Sequence, residues 1–218
     1  MKRFCFWAWP VLFTIVFLSC KKTSDKQEDI LKKKISDIIP QKYIDTLKKL
    51  GLQINEGANP PDIQGIYEIA PARLQATNRP NDVAIGYTFN PAKIQLFEQR
   101  SSDFTIKFFS KNLIGKQDTS LATAVSGSAN NFTVYGKARA TSGVYYADFG
   151  IIMTGSKDGN ALKNVVYGII SIDNSHGGTV FIKEGYGRIF RDDDFVSAAT
   201  NVFRLQQTEN AIDGGVVK

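Results

Sequence analysis

From Ile66 onward apolar and polar residues alternate with a period of two, and this constrains the fold more than any other feature of the chain. Phe104, Ile106 and Phe108 alternate with Thr105 and Lys107, and Phe132 and Val134 alternate with Thr133 and Tyr135. A two-residue repeat sends successive side chains to opposite faces, so each run reads as a strand with a buried side. Similar runs cover 92–99, 119–126, 144–154, 162–172 and 179–190. The gaps carry turn chemistry: Ser101-Ser102, Asn130-Asn131, Ser142-Gly143, Asp158-Gly159-Asn160 and Ser175-His176-Gly177-Gly178. They are too short for crossover helices, so the strands follow one another as an antiparallel meander.

A meander of about eight strands is expected to curl and close. Glycines within the runs (Gly136, Gly150, Gly168, Gly185, Gly187) suit the bends of a small barrel better than a flat sheet. A β-sandwich is the alternative, and 72–82 is the one connection long enough to arch between sheets. The 15 Phe and 8 Tyr favour strands, and 43% apolar residues are ample for a core.

Ahead of the strands, Asn59-Pro60-Pro61-Asp62 is a rigid, non-helical boundary. Before it, Leu31, Ile35, Ile38 and Ile39 recur at helical spacing as far as Pro40, and Tyr43, Ile44, Leu47 and Leu50 line a second helix that Gly51 ends. Lys48 and Lys49 suit the negative end of that helix. Residues 20–29 carry no large apolar side chain and read as a solvated, flexible tether. The expected organisation is a signal at 1–19, the tether at 20–29, a helical lead-in at 30–58 and the barrel domain at 59–218, with a C-terminal helix or tail.

The first residues place the chain in a compartment. Met1-Lys2-Arg3 precedes an apolar run from Phe4 to Phe17, then Leu18-Ser19-Cys20. The run is shorter than the roughly 20 residues that span a bilayer, and Pro10 interrupts it, so a cleaved signal is favoured over a membrane span. Leu18-Ser19-Cys20 resembles the lipobox of bacterial lipoproteins, in the Phe-rich form common in Bacteroidota. The resemblance implies cleavage before Cys20, lipidation of its sulfur with palmitate-type acyl chains, and attachment to a membrane. Lys21-Lys22 lacks the acidic signals that resemble inner-membrane retention or surface export, which points to the outer membrane, facing the periplasm. Cys5 would leave with the signal, so Cys20 would be the only thiol of the mature chain.

Gly65-Ile66-Tyr67 at the first strand, with Arg188 or Arg191 near the end of the meander, is similar to the lipocalin and calycin plan. There a Gly-x-Trp on the first strand is covered by an Arg from near the last; here Tyr67 stands in the place of Trp. The stretch from Gly51 to Tyr67 also resembles the entry segment of uncharacterised Bacteroidota lipoproteins. This resemblance implies a lipocalin-like barrel and no defined activity.

Candidate chemistry is sparse. His176 is the single histidine and lies in a turn beside Asp173 and Ser175; a hydrolase-like role there is the minor alternative to a solvated turn. Asp192-Asp193-Asp194 is the densest acidic cluster. Asp192 and Asp194 are weak candidates for a hard cation, against a reading in which Asp194 caps a helix beginning near Phe195. No cofactor motif is present, and Gly185-Tyr186-Gly187-Arg188 lacks the spacing of a dinucleotide loop. Losing Lys2 and Arg3 with the signal leaves about +4 of the formal +6, too little for a nucleic-acid binder but suited to anionic headgroups.

Tyr87, Phe89, Phe97, Tyr135, Tyr145, Phe149 and Tyr167 could line an apolar cavity or fill a solid core. Two functions follow. One is a lipid-anchored, non-enzymatic envelope protein that binds a small apolar or amphipathic ligand inside its barrel; the other is a structural or assembly lipoprotein with a solid barrel, acting through protein partners.

Overall fold

The computed structural model describes residues 20–115 and 118–201; the signal segment 1–19 and the chain after 201 lie outside them. Helix α1 (Cys20–Ile38) is followed by α2 (Gln41–Lys49). Eleven strands come next: β1 (Gly65–Ile69), β2 (Ala72–Thr77), β3 (Thr88–Phe89), β4 (Ala92–Arg100), β5 (Thr105–Lys111), β6 (Asp118–Ser128), β7 (Asn131–Ser142), β8 (Tyr145–Asp158), β9 (Ala161–Asp173), β10 (Gly187–Asp192) and β11 (Val196–Ser197). The fold is mainly β, an antiparallel sheet curled into a half-barrel behind two short helices, consistent with a lipocalin-like barrel.

The sheet order is β1-β4-β5-β6-β7-β8-β9-β10-β2-β3, with β11 paired to β9. From β4 to β10 this is the expected meander. Two strands differ from expectation at its ends. The stretch 72–82 holds β2, in which Ala72 and Leu74 face inward; Ala-Arg-Leu-Gln-Ala-Thr alternates but has one β-branched residue, which hid the strand. The run 179–190 is strand only from Gly187, because turns at Gly178 and Gly185, both with positive φ, break its first half.

The tether is also different: α1 runs through 20–29. No Gly or Pro stands between Cys20 and Pro40, and Glu28–Lys32 and Asp29–Lys33 are acid-first pairs four residues apart. Helix-forming polar residues thus extend a helix that Leu31, Ile38 and Ile39 anchor by burial. Pro40, with ψ 139°, breaks the helical path and precedes α2, whose Tyr43, Ile44 and Leu47 are buried. No helix among the described residues is long and apolar enough to cross a membrane.

Each central strand is buried on both faces. Val134, Ile151, Met153, Ile169 and Phe190 point into one cluster with Tyr67, Leu96 and Phe108 from across the curl, so this is the inner side. Their neighbours Tyr135, Ile152, Ile170 and Ile189 point the other way, into a second cluster with Leu31, Ile44 and Leu47 of the helices and Ile39 between them. The helices therefore clamp the outside of β6 to β10.

The expected C-terminal helix is replaced where the chain is described. Phe195 has φ 64°, and Val196–Ser197 pairs with Lys163 and Leu162 of β9. Beyond it Glu68 N–H donates to Ala198 O (3.2 Å), and Thr200 N–H donates to Ile66 O (2.9 Å). An edge strand such as β1 would otherwise leave one row of backbone groups unpaired, and this extended segment supplies their partners. The part of the expected helix after residue 201 lies outside the described residues.

Candidate functional site: grooves outside a filled half-barrel

The inner side is occupied by its own side chains. Tyr67, Phe108, Phe132 and Tyr167 are among the largest fully buried residues, each no more than 1% exposed. Tyr67 lies on β1 where the resemblance leads one to expect a Trp, and the cation over it comes from an unexpected strand. Lys157 of β8, rather than Arg188 or Arg191, lies 5.0 Å from the ring centre and donates to the Tyr67 hydroxyl at 2.7 Å. Arg188 instead lies over Phe89 and forms a part-buried ion pair with Asp82, while Arg191 pairs with Asp193. The bonds from Arg188 hold the Asp82 carboxyl down to about 2.

The seven candidate aromatics do not share a cavity. Tyr87, Phe89 and Tyr167 form a ladder through Phe190, with ring centres 4.9, 5.2 and 4.8 Å apart from the exposed end to the buried one. Phe97 stacks on Phe109 elsewhere on the sheet, Phe149 meets Phe181, and Tyr145 is exposed beside Gly178. Tyr135 points out of the barrel, toward the helices.

Tyr135 leads to one of the cavities on the outer face. It lies between α1, α2 and the segment 54–57, and holds about 200 Å³. Leu31, Ile35, Ile44 and Ile54 give it apolar walls, and Glu28, Lys32, Lys48 and Glu56 ring it with both signs of charge. At its base the Tyr135 hydroxyl is 3.5 Å from Ser126 Oγ, which donates to Asn55 O at 2.6 Å. Burial pushes the Tyr135 phenol up to about 12, so it stays a neutral hydrogen-bonding group. Helical spacing revealed the helix walls, but no sequence signal put them above Tyr135.

The acidic cluster divides among three environments. Asp192 is fully buried, accepts a hydrogen bond from Ser197 Oγ (2.6 Å), and has a second oxygen with no hydrogen-bond partner. Burial, and then the charge of Asp194, raise it to about 6. Asp193 pairs with Arg73 and Arg191. Asp194 accepts the Val196 N–H (2.9 Å), so it caps the turn into β11 rather than a helix. Among the described residues no group of three or more His, Cys, Asp or Glu converges as a metal site.

His176 is exposed but held. Its ring stacks on Tyr146 at 4.5 Å and 10°, Arg139 lies over the same tyrosine, and Nδ1 is 2.9 Å from Ser175 Oγ. Asp173 bonds the Ser175 backbone N–H. Cys20 stands at the first position of α1. Comparisons with family models, with curated proteins and with solved structures found no match to this chain.

Proposed function

We propose that this is a lipid-anchored, non-enzymatic protein of the bacterial cell envelope, held at the periplasmic face of the outer membrane through Cys20. It works by binding protein partners at the outer surface of a solid half-barrel. The observation that carries the reading is the filling of the inner side by Tyr67, Phe108, Phe132 and Tyr167, while the cavity beside Tyr135 opens outside the sheet. Close-packed aromatic interiors specify a rigid scaffold rather than a container. The groove beside Tyr135 is smaller than the roughly 300 Å³ at which small-molecule sites begin, and its size and mixed-charge rim suit a partner's side chain.

A photo-crosslinker at Lys32 or Lys48, in cells of the native organism, tests this directly. A stoichiometric envelope protein captured from those sites and not from Val144, on a distant hairpin, is the expected result. Capture of none, or equal capture from Val144, refutes it. Anchoring is tested separately: Cys20→Ala should move the protein from the membrane to the soluble fraction. A second reading, a small amphipathic ligand taken up in the same groove, is favoured by the buried Tyr135 hydroxyl at its base. Native mass spectrometry of the purified protein distinguishes it by a bound small molecule.

A further inference from the structure

On the outer face of the sheet, across the 53–57 segment from the Tyr135 groove, a second cavity of about 290 Å³ is lined mostly by residues with uncharged polar side chains. Gln53 comes from the segment after α2, Gln75 from β2, Asn131 from β7 and Asn164 from β9, with Thr154 and Ser156 of β8 between them. Four parts of the chain distant in sequence thus bring four carboxamides to one place. All four are exposed, and none of these side chains hydrogen-bonds within the described protein. The lining includes no ionisable residue, although Lys157, Asp158 and Lys163 are close neighbours in sequence.

The floor beneath them is fixed. Asn55 Nδ2 donates to Phe132 O (3.0 Å) and to Thr154 Oγ1 (2.8 Å), and its backbone N–H donates to Thr133 Oγ1 (2.8 Å). The register of β8 and β9 shifts between Thr154 and Ser156, and Asn164 sits opposite that irregularity with φ 52°. A bulge of this kind turns a side chain out of the regular alternation, and such bulges are enriched beside functional sites.

We propose that this cavity binds an uncharged polyhydroxylated ligand, a sugar ring. A carboxamide offers a donor and an acceptor side by side, which matches a pair of neighbouring hydroxyls that each do both. A charged ligand would find no counter-charge here, and Val166 is the single large apolar side chain in the lining. An extended peptide is disfavoured because β7, β8 and β9 are paired on both sides in the sheet, leaving no strand edge to extend. The volume is close to the lower end for small-molecule sites, which fits one ring rather than a long chain. Solvated hydrogen bonds of this kind give an affinity on the order of millimolar. The inference stands apart from the partner groove and from the anchor.

The test uses the full chain in a detergent that contains no sugar, with saturation-transfer NMR against neutral hexoses, N-acetylhexosamines and their short oligomers. The same headgroups carried on lipid separate a glycan from a glycolipid. Transfer to at least one neutral sugar is expected, with affinity falling roughly tenfold in Gln75→Ala and again in Asn131→Ala. Gln53→Ala, outside the sheet, gives an independent reading if either strand variant fails to fold. Absence of transfer from every sugar, affinity unchanged in all three variants, or binding of peptides in place of sugars overturns the proposal.

Discussion

At the scale of single residues, Asp192 carries the clearest energetic signature. Its carboxyl is fully buried with one oxygen unpartnered, and its folded value of about 6 lies above the ordinary 3.8. A group that binds its proton more tightly when folded adds stability below the unfolded value, and that contribution disappears as pH rises through the folded one. Asp192 therefore favours the fold near pH 4 and weakens it by pH 7, over the window from 3.8 to about 6. Asp192→Asn keeps an oxygen for Ser197 and removes the charge. We expect it to raise unfolding stability at pH 7 by about 1–2 kcal/mol and to do nothing near pH 4. Urea titrations of both proteins across that range test this; equal slopes with pH would show that Asp192 is not the responsible group. Asp82 runs the other way, since Arg188 lowers it, and its contribution is lost only as pH falls from 3.8 toward about 2.

Among the elements, the helices and the strand glycines explain one another. Sequence alone marked Gly150, Gly168 and Gly187 as barrel bends, and their positions show a further role. A Cβ at Gly168 would stand 3.1 Å from both Leu47 methyls and 2.9 Å from Ile189 Cδ1; one at Gly187 would be 3.2 Å from Leu47, and one at Gly150 3.3 Å from Ile39. The glycines open a shallow bed in the outer face, and α2 settles into it by Leu47, which is fully buried. Leu47→Ala should cost about 2–5 kcal/mol and Gly168→Ala about 1–3 kcal/mol. Because the alanine methyl at 168 takes space that Leu47 vacates, the double variant should cost less than the two together, read from denaturant midpoints as a double-mutant cycle. Strict additivity would refute the coupling. This pairing also marks where sequence reasoning stops. Period-two alternation located β4 to β9 because both of their faces obey it, and helical spacing found α2 by the same logic. Which apolar face meets which is a tertiary fact with no local signal, so Tyr135 read as a lining of the interior while it faces the helices. Gln75, inside the 72–82 connection, and Asn131, in the Asn130-Asn131 turn, carry no local signal that they meet, for the same reason. Lys157 was equally hidden, since nothing in its neighbourhood on β8 announces Tyr67.

For the whole molecule, the question is how a curled sheet is sealed. β1 pairs with β4 on one side, and on the other it meets the extended segment 198–200, which follows β11 on β9. The last described segment thus bridges the first strand to the ninth, and the packing of Tyr67 beneath Lys157 of β8 lies next to that seam. If the seam were merely a terminal strand resting on the surface, loosening it would leave β1 and its core unaffected. If it closes the sheet, the loss should reach Tyr67. Thr200→Pro removes the N–H that bonds Ile66 O. We expect it to cost about 1–3 kcal/mol and to speed hydrogen exchange at the Glu68 amide, which bonds Ala198 O. Exchange in β7 and β8 should follow only the global stability change, because neighbouring strands pair them on both sides. Unchanged protection at Glu68 would mean that the seam is dispensable and that β4 alone holds β1 in place.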